Sequence, residues 1–157
     1  MKEIQLTQGK VALVDDEDYT WLNRRKWCAN IFNGHWYAVR TEKKKTVLMH
    51  AQILGTPKGM KSDHKDGDGL NNQRHNLRIC IHAQNLYNQR TQTRLKSSSF
   101  KGVFWHTQAK KWQAQIKVNT RRIYLGIFIS EIKAALAYDE AARKYFGDFA
   151  HTNFLDV

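Results

Sequence analysis

Apolar and polar residues alternate with the period of a β-strand in the last third of this chain. From residue 112 to residue 118, Trp, Ala, Ile and Val alternate with Gln, Gln and Lys, which predicts a strand with one buried and one exposed face. Neighbouring strands are predicted at residues 102–105 and 121–128, with Asn119-Thr120 as a two-residue hairpin turn. The pattern therefore predicts a three-stranded antiparallel sheet.

A helical period follows this sheet directly. Residues 131–146 are predicted to form one amphipathic helix, with Ser130 as its N-cap and Gly147 at its end. Four alanines on one side would let the helix lie close against the sheet. This second part of the chain is therefore predicted to be one helix packed on three strands.

Short strand patterns dominate the first part of the chain. Strands are predicted at residues 4–6 and 10–14, and a hairpin at residues 36–40 and 46–49. A short helix is predicted at residues 50–54, and an acidic helical turn begins near residue 15. The predicted fold class is α+β, with a β-rich lead-in before a polar central segment.

The charge balance indicates a polyanionic partner. Among 157 residues, 26 are Lys or Arg and 14 are Asp or Glu, which gives a net charge of +12. Such an excess attracts nucleic acids over long range. No stretch approaches transmembrane length, and no long basic amphipathic helix is evident, so we expect no membrane partner. Cys28 and Cys80 form no metal-binding pair, and a reducing, cytoplasmic setting is expected.

The central segment from residue 62 to residue 85 is the one with catalytic chemistry. Asp63 offers a hard oxygen ligand, and His64 carries a side chain that can accept a proton near neutral pH. The run Asp66-Gly67-Asp68-Gly69 predicts a chain reversal. A return strand over residues 73–79 and a helix over residues 81–89 would bring Asn85 back toward Asp63.

This combination, Asp63-His64, Asn76 and Asn85, resembles the ββα-metal core of HNH endonucleases of the phage homing type. The resemblance implies that His64 is the general base and that Asp63 and Asn85 hold one divalent cation, Mg²⁺ or, as a substitute, Mn²⁺. It also implies that Asn76 fixes the loop and orients His64. The expected reaction is metal-dependent hydrolysis of duplex DNA, with a nick as the product.

Simpler interpretations of this segment remain open. An Asp-His pair is more often a surface turn than an active site, and Asn71 and Asn72 are expected to be turn residues. A calcium-loop interpretation fails because the twelfth position lacks the required Glu. Residues 43–45, three lysines, are either a solvated turn or a phosphate contact.

A polar, basic stretch separates the two parts. The predicted organisation is a first module at residues 1–90, with its core at about 48–90, a linker at 91–97 and a second module at 98–157. Four further basic residues are expected to contact DNA: Arg78 in the predicted return strand, and Arg90, Arg94 and Lys96 in or next to the linker.

The second module resembles the AP2/ERF DNA-binding domain. The residues that carry the resemblance are Phe100-Lys101-Gly102-Val103, 111–116, 124–128 and the helix 134–142. The resemblance implies that the exposed face of the sheet enters the major groove. Phe104 and His106 replace the arginines usual in the plant factors, so the plant target sequence should not be transferred. The implied DNA contacts are Lys101, Gly102, Phe104, His106, Gln115, Lys117, Arg122 and Tyr124.

The expected function is thus that of a double-stranded DNA endonuclease, acting as a monomer, or as a dimer if both strands are cut. The expected setting is the cytoplasm of a bacterial host or phage-infected cell. The alternative is a non-catalytic, sequence-specific DNA-binding regulator, which does not need Asp63, His64 and Asn85 together. A third interpretation, an RNA-binding protein, accounts for the charge and the aromatic residues but not for those three.

Overall fold

The chain divides into two compact units, residues 1–85 and 86–157, in a computed structural model that describes residues 1–88 and 97–154. The division falls before the predicted linker, of which only Ser97 is among the described residues. Among the described residues, no helix combines the length and hydropathy needed to cross a membrane.

The first unit is built from small antiparallel sheets and short helices. Its elements are β1 (Lys2–Gln5), β2 (Val11–Val14), α1 (Asp16–Leu22), β3 (Cys28–Phe32), β4 (His35–Glu42), β5 (Lys45–Leu48), α2 (Met49–Leu54), β6 (Lys61–His64) and β7 (Leu77–Cys80). β1 pairs with β2, β6 pairs with β7, and β4 lies between β3 and β5. A further helix, α3 (His82–Tyr87), spans the point where the two units divide.

The core of this unit joins residues from most of these elements. The buried side chains include Leu22 of α1, Met49 of α2 and Trp27, which precedes β3. They pack together with Ile4 and Val14 of the first sheet. Burial of large apolar side chains is the main stabilising contribution available to so small a unit. The short helices are held by this packing, because α-helices of six or seven residues are unstable alone.

The second unit has the predicted architecture. Its elements are β8 (Val103–His106), β9 (Lys111–Val118), β10 (Arg121–Phe128) and α4 (Glu131–Phe146). β9 is the central strand, antiparallel to both neighbours. α4 packs on one face of the sheet through Ala134, Ala135, Tyr138, Ala141 and Ala142, and the buried strand residues are Val103, Ala114 and Ile116. The predicted sheet and helix are confirmed.

The helix begins and ends where the sequence predicts. The Ser130 side chain accepts a hydrogen bond from the Lys133 backbone N–H, and Gly147 follows the last turn with a positive φ of 52°.

In the first unit, however, the strand predicted over residues 73–79 is wrong over its first half. Residues Arg74–Asn76 form a 3₁₀ turn, and pairing with β6 begins at Leu77.

Candidate nucleic-acid interface

The sheet of the second unit has one face that α4 does not cover, which we call the outer face. Because directly paired residues of an antiparallel sheet point to the same side, the register fixes its members. Lys117 pairs with Arg122, Gln115 with Tyr124, Gln113 with Phe104, and Lys111 with His106. Six of the eight DNA contacts predicted in the second module therefore share this face: Phe104, His106, Gln115, Lys117, Arg122 and Tyr124.

The outer face combines charge with exposed aromatic and amide groups. Lys117 and Arg122 are exposed at one end, and Tyr124 has 60% of its surface exposed. Phe104, His106 and Gln115 are half-buried between their neighbours. The His106 ring is held by its Nδ1, which accepts a hydrogen bond from the Ala109 N–H at 3.1 Å.

Three further residues of this face were not among the predicted contacts. Lys111 and Gln113 lie on the same side of β9 as Gln115 and Lys117. Ile127, on β10, pairs with Gln113. The alternation along residues 111–117 would have identified the two β9 residues. Ile127 has no such signal, because a β-bulge between Tyr124 and Gly126 shifts the phase of β10.

Lys101 and Gly102 lie at the edge of the core instead. The Lys101 Nζ donates to the Tyr87 carbonyl oxygen at 2.7 Å, and burial lowers the pKa of this amine to about 8 while Asp139 opposes the shift. Gly102 has a φ of +77°, and a Cβ there would clash with the Tyr138 ring. Burial of the Lys101 amine weighs against a direct DNA contact from its side chain, and the contacts predicted for Lys101 and Gly102 both stay predictions.

The remaining basic residues fall into two groups. Arg78 is in the first unit, where its Nε and Nη2 donate to Asp63 Oδ2 at 2.9 and 2.8 Å and its side chain is only 11% exposed. That ion pair holds the Arg78 side chain of β7 against Asp63 of β6, which weighs against a DNA contact. Arg90, Arg94 and Lys96 lie outside the described residues.

The histidines of the first unit form a buried aromatic cluster. The rings of His50 and His64 meet edge to face with centroids 4.6 Å apart, and Tyr37 lies 5.8 Å and 5.9 Å from them. Burial, together with the neighbouring His64, lowers the pKa of His50 to about 3. Burial also lowers the pKa of His64, against the opposing effects of Asn72 and nearby carboxylates. Both imidazoles are therefore neutral at pH 7.

The predicted cation ligands do not present a net negative charge. Asp63 is buried and neutralised by Arg78, and Asn85 on α3 carries no charge. Mg²⁺ is usually bound through carboxylates, so this donor set fits the predicted ion poorly. Among residues 1–88 and 97–154, no group of three or more His, Cys, Asp or Glu side chains is arranged to hold a metal. Binding of Mg²⁺ or Mn²⁺ stays a prediction.

Asn76 and Asn72 organise the loop between β6 and β7. The Asn76 Nδ2 donates to Asp66 Oδ1 at 3.0 Å and to the Asn71 carbonyl at 2.8 Å, while its Oδ1 accepts from the Asp66 N–H. Asn72, expected to be a simple turn residue, is fully buried, and its Oδ1 lies 3.4 Å from His64 Nε2. Asn72 therefore contacts His64, a contact that the sequence had not predicted.

Comparison with known proteins finds similarity in the second unit. Residues 98–148 match the family model described as AP2 domain. Over 59 or 60 residues, the chain is 48% identical to "Dehydration-responsive element-binding protein 2D" and 45% identical to "AP2-like ethylene-responsive transcription factor AIL7", both of Arabidopsis thaliana. It is 43% identical to "APETALA2-like protein 2" of Oryza sativa subsp. indica. These matches cover 36–37% of this chain and only 28%, 12% and 14% of the relatives, respectively.

These comparisons correct the expected activity. The expectation of a metal-dependent HNH endonuclease is wrong, because the relatives include a transcription factor and a dehydration-responsive element-binding protein. Nothing in the comparisons supports an HNH core, a hydrolase or a phage origin, and the relatives come from plants. These matches do not extend to residues 1–85, so the roles assigned to His64 and Asn76 stay untested predictions. Residues 98–148 match the AP2 domain, and the sheet and helix of the second unit agree with that match.

Proposed function

We propose that this protein is a sequence-specific, non-catalytic regulator that binds duplex DNA through the outer face of its C-terminal sheet. The observation that carries the proposal is the cross-strand pairing of Lys117 with Arg122 and of Gln115 with Tyr124. This pairing puts all four side chains on the face that α4 leaves uncovered. The relatives' names support the proposal, since they describe transcription factors and a protein that binds a response element.

The dimensions of the sheet support a major-groove contact. Strands of a sheet lie about 4.8 Å apart, so three strands span about 10 Å between the outer backbones. The major groove of B-DNA is about 12 Å wide and admits a β-ribbon as well as a helix. The outer face of a three-stranded sheet can therefore lie in the groove, with the central strand, β9, nearest the bases and β8 and β10 nearer the two DNA backbones.

The charges of the outer face support phosphate contacts on both sides. Lys117 and Arg122 lie at one end of the sheet and Lys111 lies at the other, with amide and aromatic side chains between them. Basic residues that neutralise phosphates release bound counterions, and each such contact contributes about −0.9 to the slope of log affinity against log salt. The net charge of +12 adds long-range attraction.

The proposal is tested by fluorescence anisotropy of the full chain with a labelled duplex, selected from a random pool. Arg122→Ala and Lys117→Ala should each weaken binding and reduce the magnitude of the salt slope by about 1. The matched control is Lys133→Ala, which removes the same charge from the exposed side of α4. Equal affinities and slopes for all three variants would contradict the proposed interface.

Competition with other nucleic acids tests the class of partner. Unlabelled duplex DNA should displace the probe better than single strands or structured RNA of the same length, because the outer face fits a wide major groove and RNA helices have a narrow one. A clear preference for RNA would refute the proposed partner. We further propose that one copy binds each site, which sedimentation of the complex measures.

A further inference from the structure

Two glutamines occupy the centre of the outer face. Gln113 and Gln115 are two residues apart on β9, so their side chains point to the same side, with Lys111 and Lys117 beyond them. Within the part of the chain that the structure describes, neither side-chain amide forms a hydrogen bond. Polar groups that are half-buried and held without an internal partner are suited to an external one.

Apolar and aromatic side chains flank these amides. Gln113 pairs with Phe104 of β8 on one side and with Ile127 of β10 on the other. Gln115 pairs with Tyr124, and its backbone N–H donates to the Gly102 carbonyl at 2.9 Å, which fixes the strand position. Ile127 is 37% exposed, so its side chain is accessible beside the Gln113 amide.

This chemistry matches one base pair better than the other. In the major groove, adenine offers an acceptor at N7 and a donor at N6, which an amide side chain satisfies together through its N–H and its oxygen. Guanine offers two acceptors, which suit arginine or lysine and leave the amide oxygen unmatched. The thymine paired with adenine adds a 5-methyl group, which apolar side chains contact favourably.

The spacing of the amides matches that of stacked base pairs. Two residues along a strand span about 6.6 to 6.8 Å. Successive phosphates of one strand are about 3.4 Å apart along the helix axis, so this distance corresponds to about two base-pair steps. Gln113 and Gln115 can therefore address two base pairs within one short stretch of groove.

We infer that Gln113 and Gln115 each read an A·T pair, about two steps apart in the major groove, and that Ile127 contacts the thymine methyl group beside Gln113. The inference rests on the proposed DNA-binding function and specifies the class of site. Base selectivity then comes from the amides and Ile127, while Lys111, Lys117 and Arg122 bind phosphates and position the sheet.

The experiment selects sites from a randomised duplex library with the full chain, and then measures the affinity for single-base substitutions. A·T pairs should be enriched at two positions. Gln113→Ala and Gln115→Ala should each abolish discrimination at one position, a loss of about 5- to 100-fold. The control is Gln5→Ala, which removes an exposed strand glutamine from the first unit.

Modified bases separate base contacts from phosphate contacts. Replacing the adenine by 7-deazaadenine removes the N7 acceptor, so it should weaken binding by the wild type and leave the matching glutamine variant unaffected. Replacing the thymine by uracil removes the methyl group, and should weaken binding by the wild type but not by Ile127→Ala.

The possible outcomes distinguish the two proposals. Tight binding with G·C pairs enriched, or glutamine variants that keep the wild-type preference, would overturn the inference and leave the proposed function standing. Failure of the folded chain to distinguish any duplex from another would overturn sequence-specific binding itself. Equal sensitivity of wild type and glutamine variants to 7-deazaadenine would also overturn the inference.

Discussion

Asp139 of α4 connects the helix to the start of the three-stranded sheet of the second unit. Its carboxylate is fully buried and accepts hydrogen bonds from the Asn153 N–H at 2.7 Å, the Asn153 Nδ2 at 2.9 Å and the Phe154 N–H at 2.9 Å. Asn153 in turn bonds to the backbone N–H and carbonyl of Lys101, just before β8. We therefore expect Asp139→Ala to destabilise the whole second unit.

The size of the effect follows from these three bonds. A hydrogen bond to a charged group contributes about 1.5 to 3 kcal/mol, so a simple sum would be about 5 to 9 kcal/mol. The three bonds share one acceptor carboxylate and two of them come from Asn153, and the contributions of such neighbouring bonds are not additive. Removing one member of a buried charged network costs about 3 to 5 kcal/mol. We expect a loss in this range, a large part of the stability of a small domain.

Hydrogen exchange measured by mass spectrometry reports on the two units separately, because each gives its own peptides. In Asp139→Ala, the slowest amides of β9 should exchange about 100- to 4,000-fold faster, and those of the first unit should not change. The matched control is Glu140→Gln, which alters the adjacent, exposed carboxylate of the same helix. A change below about tenfold in β9 would refute the role given to the Asp139 bonds.

Three further predictions concern single side chains. Gly102→Ala should lower the stability of the second unit by about 2 to 3 kcal/mol in urea unfolding, more than Gly147→Ala, because only the first introduces a clash, with the Tyr138 ring. The pKa of Lys101 falls from 10.5 to about 8 on folding, so the free energy of unfolding should rise between pH 8 and 10.5, by about 3 kcal/mol in all. Lys101→Met should remove this rise, and a wild type and variant whose unfolding free energies change with pH in the same way would contradict the prediction. Asp18→Ala should destabilise the first unit by about 3 kcal/mol, because it removes the hydrogen-bond acceptor of Arg74 and of the Trp21 indole. Amide hydrogen exchange in the first unit should show this loss, and the control Asp16→Ala, at an exposed carboxylate, should change that exchange little.

The second unit could be predicted from local sequence signals. Alternation along residues 112–118 and the cap at Ser130 gave β9 and α4 with bounds that agree with the structure within one residue. These signals are short-range: the period of two, the hairpin turn and the N-cap each involve residues less than about five apart. The burial of Lys101 could not be predicted in this way, because its partner is the Tyr87 carbonyl, 14 residues earlier.

The first unit depends more on contacts between residues far apart in the chain. Residues Gln73 and Arg74 leave the strand conformation because Asp15 and Asp18 bind them, over sequence separations of 56 to 59 residues. β3 was not predicted, since its burial pattern shows one buried residue, Ala29, and no alternation. Asn72 is buried because its backbone N–H donates to the Leu13 carbonyl of β2. None of these partners can be identified from a local pattern.

The polar density of residues 62–76 suggested catalysis, and the structure gives it a different cause. A loop that leaves regular structure must satisfy its backbone groups by other means. Here Asp66 accepts from the Asp68 N–H and from Asn71, and Asp68 accepts from the Leu70 N–H, in the manner of Asx turns. Asp63 needs a cation once β6 buries it, and Arg78 supplies that cation from the directly opposite position on β7. The same carboxylates and amides that would suit a metal-dependent site are thus required by the architecture of this connection. Residue types alone could not separate the two explanations, whereas the pairing of β6 with β7 accounts for the Asp63–Arg78 contact.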